Sequence, residues 1–164
     1  MINHGVDGGS SIGEALDCLR ASGICLDSEV PEGMLFQRDF PQQAFATAKR
    51  FRVELAISCP TFDEIASAIQ LNFPVAFGID IGDDFNPGEG GILGERVGPR
   101  RPDHGHAMCA VGLQIIDGKP YLRVQNSWGT DTWGDRGCGL MPESYFDGQQ
   151  RNWAIHAVFD DPSV

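Results

Sequence analysis

GHAMCAVGLQIIDGKPYLRVQNSWGTDTWGDRG, residues Gly105–Gly137, is the stretch whose reading decides the fold. The β-rich segment His106–Ile116 and the segment Pro120–Gln125 flank Asp117-Gly118, a dipeptide suited to a tight hairpin turn. Antiparallel pairing brings His106, at the start of the first strand, beside Asn126, at the end of the second. A carboxamide that accepts from one ring nitrogen fixes the imidazole tautomer and leaves the other nitrogen free to serve a nucleophile. Taken singly, a strand His is usually a satisfied structural residue, and N-S-W-G is usually a turn around a buried Trp. In this order and at hairpin spacing the two are far more specific.

The stretch resembles the C-terminal half of papain-like cysteine peptidases (the C1 family), in a bacterial-type version. Their His sits in an H-A-x-x-x-V-G strand and their Asn opens N-S-W-G-x-x-W-G. Here these are His106-Ala107 to Val111-Gly112, then Asn126-Ser127-Trp128-Gly129 and Trp133-Gly134, with one extra residue between the two W-G units. The resemblance implies an α+β, papain-like fold: an antiparallel β-barrel lobe with a truncated helical lobe. It divides a single truncated domain into a helical-lobe remnant, about 1–52, and a barrel lobe, about 53–164. It also implies catalytic roles for His106 and Asn126, and substrate contact for Gly8, Gly9, Gly105, Trp128 and Trp133. The two tryptophans have a plainer reading as well, packing the base of the turn and supporting the Asn–His bond.

At 164 residues the length fits one domain with an adequate core. The formal charge of −11 argues against nucleic acid or an anionic membrane surface as partner. No run of 18 apolar residues and no leader pattern is present, so nothing in the sequence predicts export or membrane anchoring. The five cysteines (Cys18, Cys25, Cys59, Cys109, Cys138) are odd in number and scattered, without metal-ligand spacing. Val6 stands where secreted relatives carry a disulfide cysteine. A reducing compartment is therefore expected: cytoplasmic, or within an assembled particle.

Elsewhere, Ser11 and Glu14 form a capping-box pattern ahead of a helix to about Ala21, stopped by Gly23. Ser10 and Ser11 read as capping residues rather than nucleophiles. Irregular chain is expected over residues 27–40, helix within Gln42–Phe51 and a strand over Val53–Ser58. A second capping box, Thr61 with Glu64, opens a helix to about Asn72, followed by a buried strand over Pro74–Ile79. Residues 80–104, rich in Gly, Pro and charge, read as a long mobile surface loop that in the family helps wall the cleft. Asp80, Asp83, Asp84 and Glu89 lack calcium-loop spacing, so no metal is predicted. A strand over Gly137–Met141, a helical turn over Pro142–Tyr145 and a closing strand over Asn152–Phe159 complete the chain.

In papain-like enzymes the nucleophilic Cys opens a long helix upstream of the segment matched here by Gly8-Gly9-Ser10, and a nearby Gln completes the oxyanion hole. The nine residues before Ser10 hold no Cys, no Gln and no helical pattern. Cys109, three positions beyond His106, falls on the opposite strand face. The expectation is therefore a non-catalytic, pseudo-peptidase module in a larger assembly, such as a virion or tail-like particle, inactive alone. Another chain or a second copy would cover the surface left by the missing helix. Two alternatives stand beside it: a cysteine peptidase completed by a Cys-bearing segment from another chain or upstream sequence, and a peptide-binding module. No cofactor is implied.

Overall fold

The computed structural model describes residues 10–30, 39–82, 85–95, 105–146 and 153–160, without the side chains of residues 153, 154 and 160. The chain forms two compact units, Met1–Ala56 with Val158–Val164, and Ile57–Ala157.

In the first unit, α1 (Ile12–Ser22) begins as the capping box dictates. Ser11 Oγ accepts from the Glu14 N–H at 3.1 Å, and Glu14 Oε2 accepts from the Ser11 N–H at 2.9 Å. Leu16 supplies its buried contact, and Gly23 ends it, donating its N–H to the Leu19 carbonyl. The second helix, α2 (Gln42–Ala48), is shorter than its run of helix formers and buries Ala44, Thr47 and Ala48. Thr47 Oγ1 donates to Glu29 Oε1 at 2.7 Å, tying α2 to a 3-10 turn at Asp27–Glu29 inside the segment expected to be irregular.

The second unit is built on an antiparallel sheet. Its strands are β2 (Val75–Asp80), β3 (Gly105–Ile116), β4 (Lys119–Gln125) and β5 (Cys138–Pro142), with β1 (Val53–Ser58) and β6 (Trp153–Asp160) crossing the division between units. The strand order is β1-β6-β2-β3-β4-β5. At the β3–β4 turn Asp117 and Gly118 both have positive φ, 49° and 77°, the twist that matches a right-handed hairpin. Helix α3 (Phe62–Gln70) opens on the Thr61–Glu64 capping box and packs on β3, burying Phe62, Ile65 and Ala68. It stops two residues before Asn72, which takes positive φ. A 3-10 turn, Glu143–Phe146, follows β5 and sends Phe146 between Phe62 and Phe77, at 6.0 and 5.4 Å. Val75, Phe77, Ile79, Leu122, Val124 and Met141 complete the buried face.

The described part of the segment expected to be a mobile surface loop, residues 80–82 and 85–95, is anchored at two apolar points. Within the described part, Phe85 is 3% exposed and Leu93 1%. Leu93 donates its N–H to the Leu140 carbonyl, Ile92 bridges to Leu140 in parallel, and this segment covers the free edge of β5. Composition marks this stretch as irregular but could not show that its two apolar points anchor it.

Glu14 carries a pH dependence. Hydrogen bonds from the Ser11 amide, then its hydroxyl, hold the Glu14 carboxyl below its ordinary value of 4.5. A depressed carboxylate stabilises the fold above its unfolded pKa and loses that contribution as pH falls through the folded value. The protection of the first-turn amides of α1 against exchange, taken relative to the unprotected rate at the same pH, is expected to fall on acidification below about pH 4.5. Glu14→Gln should flatten that dependence.

Candidate active site

The β3–β4 register creates the site. Cys109 faces Gln125 and Ala110 faces Val124, so Asn126, one step beyond β4, lies diagonally across from His106. Such diagonal neighbours are within reach of long side chains. Alternation places His106, Met108 and Ala110 on one face of β3 and Cys109 on the other. His106 Nε2 and Asn126 Oδ1 are 2.8 Å apart. The Ser127 N–H donates to the same oxygen at 2.7 Å. A backbone amide can only donate, so the atom facing His106 is the carboxamide oxygen and Nε2 carries the proton. In the neutral ring Nδ1 is then an acceptor, free to take a proton from a nucleophile and return it to a leaving group.

Asn126 is 8% exposed, and its N–H donates to the Gly137 carbonyl at 2.9 Å. The carboxamide is thus held by its own backbone. Gly139 is required against Trp133: a Cβ there would lie 2.7 Å from the indole ring. Trp128 lies against His106, ring centres 4.6 Å apart and tilted by 32°. That indole covers part of the imidazole.

Of the other residues read as substrate contacts, Gly105 is exposed and pairs with Asp80. Trp128 is 42% exposed. Trp133 is 4% exposed and lies beneath it, 6.2 Å between centres, so its place is in the support of the turn rather than in a cleft wall. Gly8 and Gly9 lie outside the described residues.

Phe85 was not singled out in the sequence. Its ring centre is 6.3 Å from His106, 6.0 Å from Trp128, 5.6 Å from Trp133 in a stacked arrangement and 6.2 Å from Tyr145. The signal was present: Phe85 is the lone Phe, Tyr or Trp in a polar, glycine-rich stretch.

Cys109 is a half-buried thiol whose burial pushes its pKa up, opposite to the activation a nucleophile needs. Cys59 is buried and its thiol contacts the Ile57 carbonyl. Cys138 is opposite Gln125 on β5. Cys18 and Cys25, both half-buried, belong to the first unit. Among the described residues no group of three His, Cys, Asp or Glu could hold a metal ion.

Phe85→Ala is expected to cost about 3 kcal/mol, as for other buried Phe truncations, measured by urea denaturation. The same variant should broaden or lose the slowly exchanging His106 Nε2 proton in NMR spectra, because Trp128 loses its backing.

These features were compared with known proteins. The sequence pattern of the papain family cysteine proteases matches residues 2–150. The chain is 36% identical over 80 residues to the thiol protease aleurain of Arabidopsis thaliana, covering 48% of this chain and 22% of that protein. Pro-cathepsin H of Mus musculus is 33% identical over 104 residues, 62% of this chain and 29% of that protein. The chain thus spans about a fifth to a third of the length of these relatives. Among solved structures, xylellain, a cysteine protease from Xylella fastidiosa, superposes with a TM-score of 0.71 at 21% identity, over 93% of this chain and 62% of that one. Digestive procathepsin L 3 of Tenebrio molitor gives 0.68 at 22% identity, over 93% and 48%. These likenesses establish a papain-like α+β fold, and the chain belongs to the papain family of cysteine proteases.

Proposed function

We propose that this chain carries the acid–base half of a cysteine peptidase active site and hydrolyses peptide bonds when a cysteine thiolate is brought to His106 from another chain or from sequence beyond these residues. The observation that supports this most directly is the 2.8 Å His106–Asn126 contact, with the carboxamide oxygen fixed by the Ser127 amide. A scaffold has no need of an oriented imidazole with a free Nδ1. A helix N-terminus supplying the cysteine would lower its pKa, as would the imidazolium.

The chemistry is acyl transfer. The thiolate attacks the peptide carbonyl carbon, and the tetrahedral adduct collapses as the C–N bond breaks. His106 Nδ1 delivers a proton to the departing amine. Water then attacks the thioester, giving up its proton to Nδ1, and the thiolate leaves with the carboxylic acid as product. Asn126 holds the ring through both steps.

A second reading, a non-catalytic module within a larger assembly such as a virion or tail-like particle, is favoured by the local cysteines, of which Cys109 points to the wrong face and Cys59 is buried. In the first unit Ile24, Leu26 and Phe51 are 59, 49 and 45% exposed. Apolar exposure of this kind supports cover by further polypeptide under either reading.

The native mass and composition of the purified material, with labelling by a peptidyl epoxide directed at thiols, separate the two. Expected is a labelled cysteine on a companion chain or extension, labelling abolished by His106→Ala, and peptide hydrolysis reduced about a thousandfold in that variant. Asn126→Ala should cost about tenfold, the worth of one hydrogen bond. A stable complex without a labelled thiol would overturn the peptidase reading and leave the scaffold.

A further inference from the structure

We propose that Asp131 selects a basic residue, Lys or Arg, in the first two positions of the fragment that leaves as the amine; this rests on the peptidase reading above. The argument begins at His106. Its free Nδ1 must come within hydrogen-bond reach of the departing nitrogen, so the leaving fragment starts beside the imidazole. The Trp128 indole is 4.6 Å from that ring and 42% exposed, so the next side chain of the fragment emerges across its open half.

The turn that follows Trp128 is closed on itself. Thr132 Oγ1 donates to the Trp128 carbonyl, and Thr130 Oγ1 donates to Asp131 Oδ1 at 3.3 Å. Three residues of chain span at most about 10 Å, and this closure shortens the span. Asp131 therefore stays within a long side chain's reach of the indole.

Charge completes the case. Among the described residues, Arg123 and Arg136 already face another carboxylate, each approaching Asp135 at 3.5 Å. Asp131 is exposed and has no ion pair among the described residues. The leaving side of the site thus presents an aromatic face near a carboxylate that has no ion pair among the described residues. A Lys or Arg side chain can lay its methylene stem on Trp128 and set its charge against Asp131, whereas an acidic side chain meets repulsion.

The test uses two dipeptide amides with free amino termini, Arg-Ala-NH2 and Glu-Ala-NH2, titrated into the purified protein while the Trp128 indole N–H resonance is followed by NMR. At about 20 mM salt the Arg peptide is expected to bind about threefold more tightly, the scale of an exposed ion pair. Raising salt to about 0.5 M should remove the difference. Asp131→Asn should abolish the preference and Asp131→Lys reverse it, with the fold preserved because the position is exposed. Equal binding of the two peptides to the unaltered protein, no binding of either, or a preference surviving in Asp131→Asn overturns the proposal. Binding needs no thiol, so this outcome is separate from the labelling result. A labelled, active complex with no leaving-side preference would sink the role of Asp131 alone, and a preference without any labelled thiol would sink the peptidase reading.

Discussion

Everything at the site depends on a single hydrogen bond, from His106 Nε2 to Asn126 Oδ1, and on the strand register that permits it. A slip of one residue between β3 and β4 would carry Asn126 to the other face of the sheet and leave the imidazole without its orienter. Two features hold the register. The Asp117-Gly118 turn admits two successive positive φ values, and Leu122 and Val124 are fully buried, so a slip would expose them.

The bond itself is neutral and modest in free energy, of the order of 1 kcal/mol in net terms. Its effect comes from placement. The Ser127 amide settles which end of the carboxamide faces the ring, the Asn126–Gly137 backbone contact holds the residue, and Trp128 packs against the imidazole. Phe85 connects this arrangement to the core, touching both tryptophans, His106 and Tyr145. A segment that composition marks as a loop is thereby part of the wall behind the imidazole.

The cysteines give the complementary physical picture. A thiol becomes a nucleophile where positive charge stabilises the thiolate, and burial in apolar surroundings does the reverse. Cys109 illustrates the second case three residues from His106. Closeness along a strand is no guide to closeness in space, because successive side chains point to opposite faces.

The sequence by itself determined the hairpin, the two capping boxes, the strand order along the chain and the pairing of His106 with Asn126. Each rests on local rules: turn residues, N-cap chemistry and period-two alternation. It also carried the family, through the H-A-x-x-x-V-G and N-S-W-G patterns, which the papain-family match over residues 2–150 upholds. Only the tertiary structure decided that Phe85 and Leu93 are buried, that Trp133 lies beneath Trp128 rather than in a cleft wall, and that α2 ends at Ala48. Those outcomes depend on contacts between residues far apart in the chain. A lone Phe among glycines and acids reads identically whether it meets water or four other rings, because no local pattern specifies what will be packed against it.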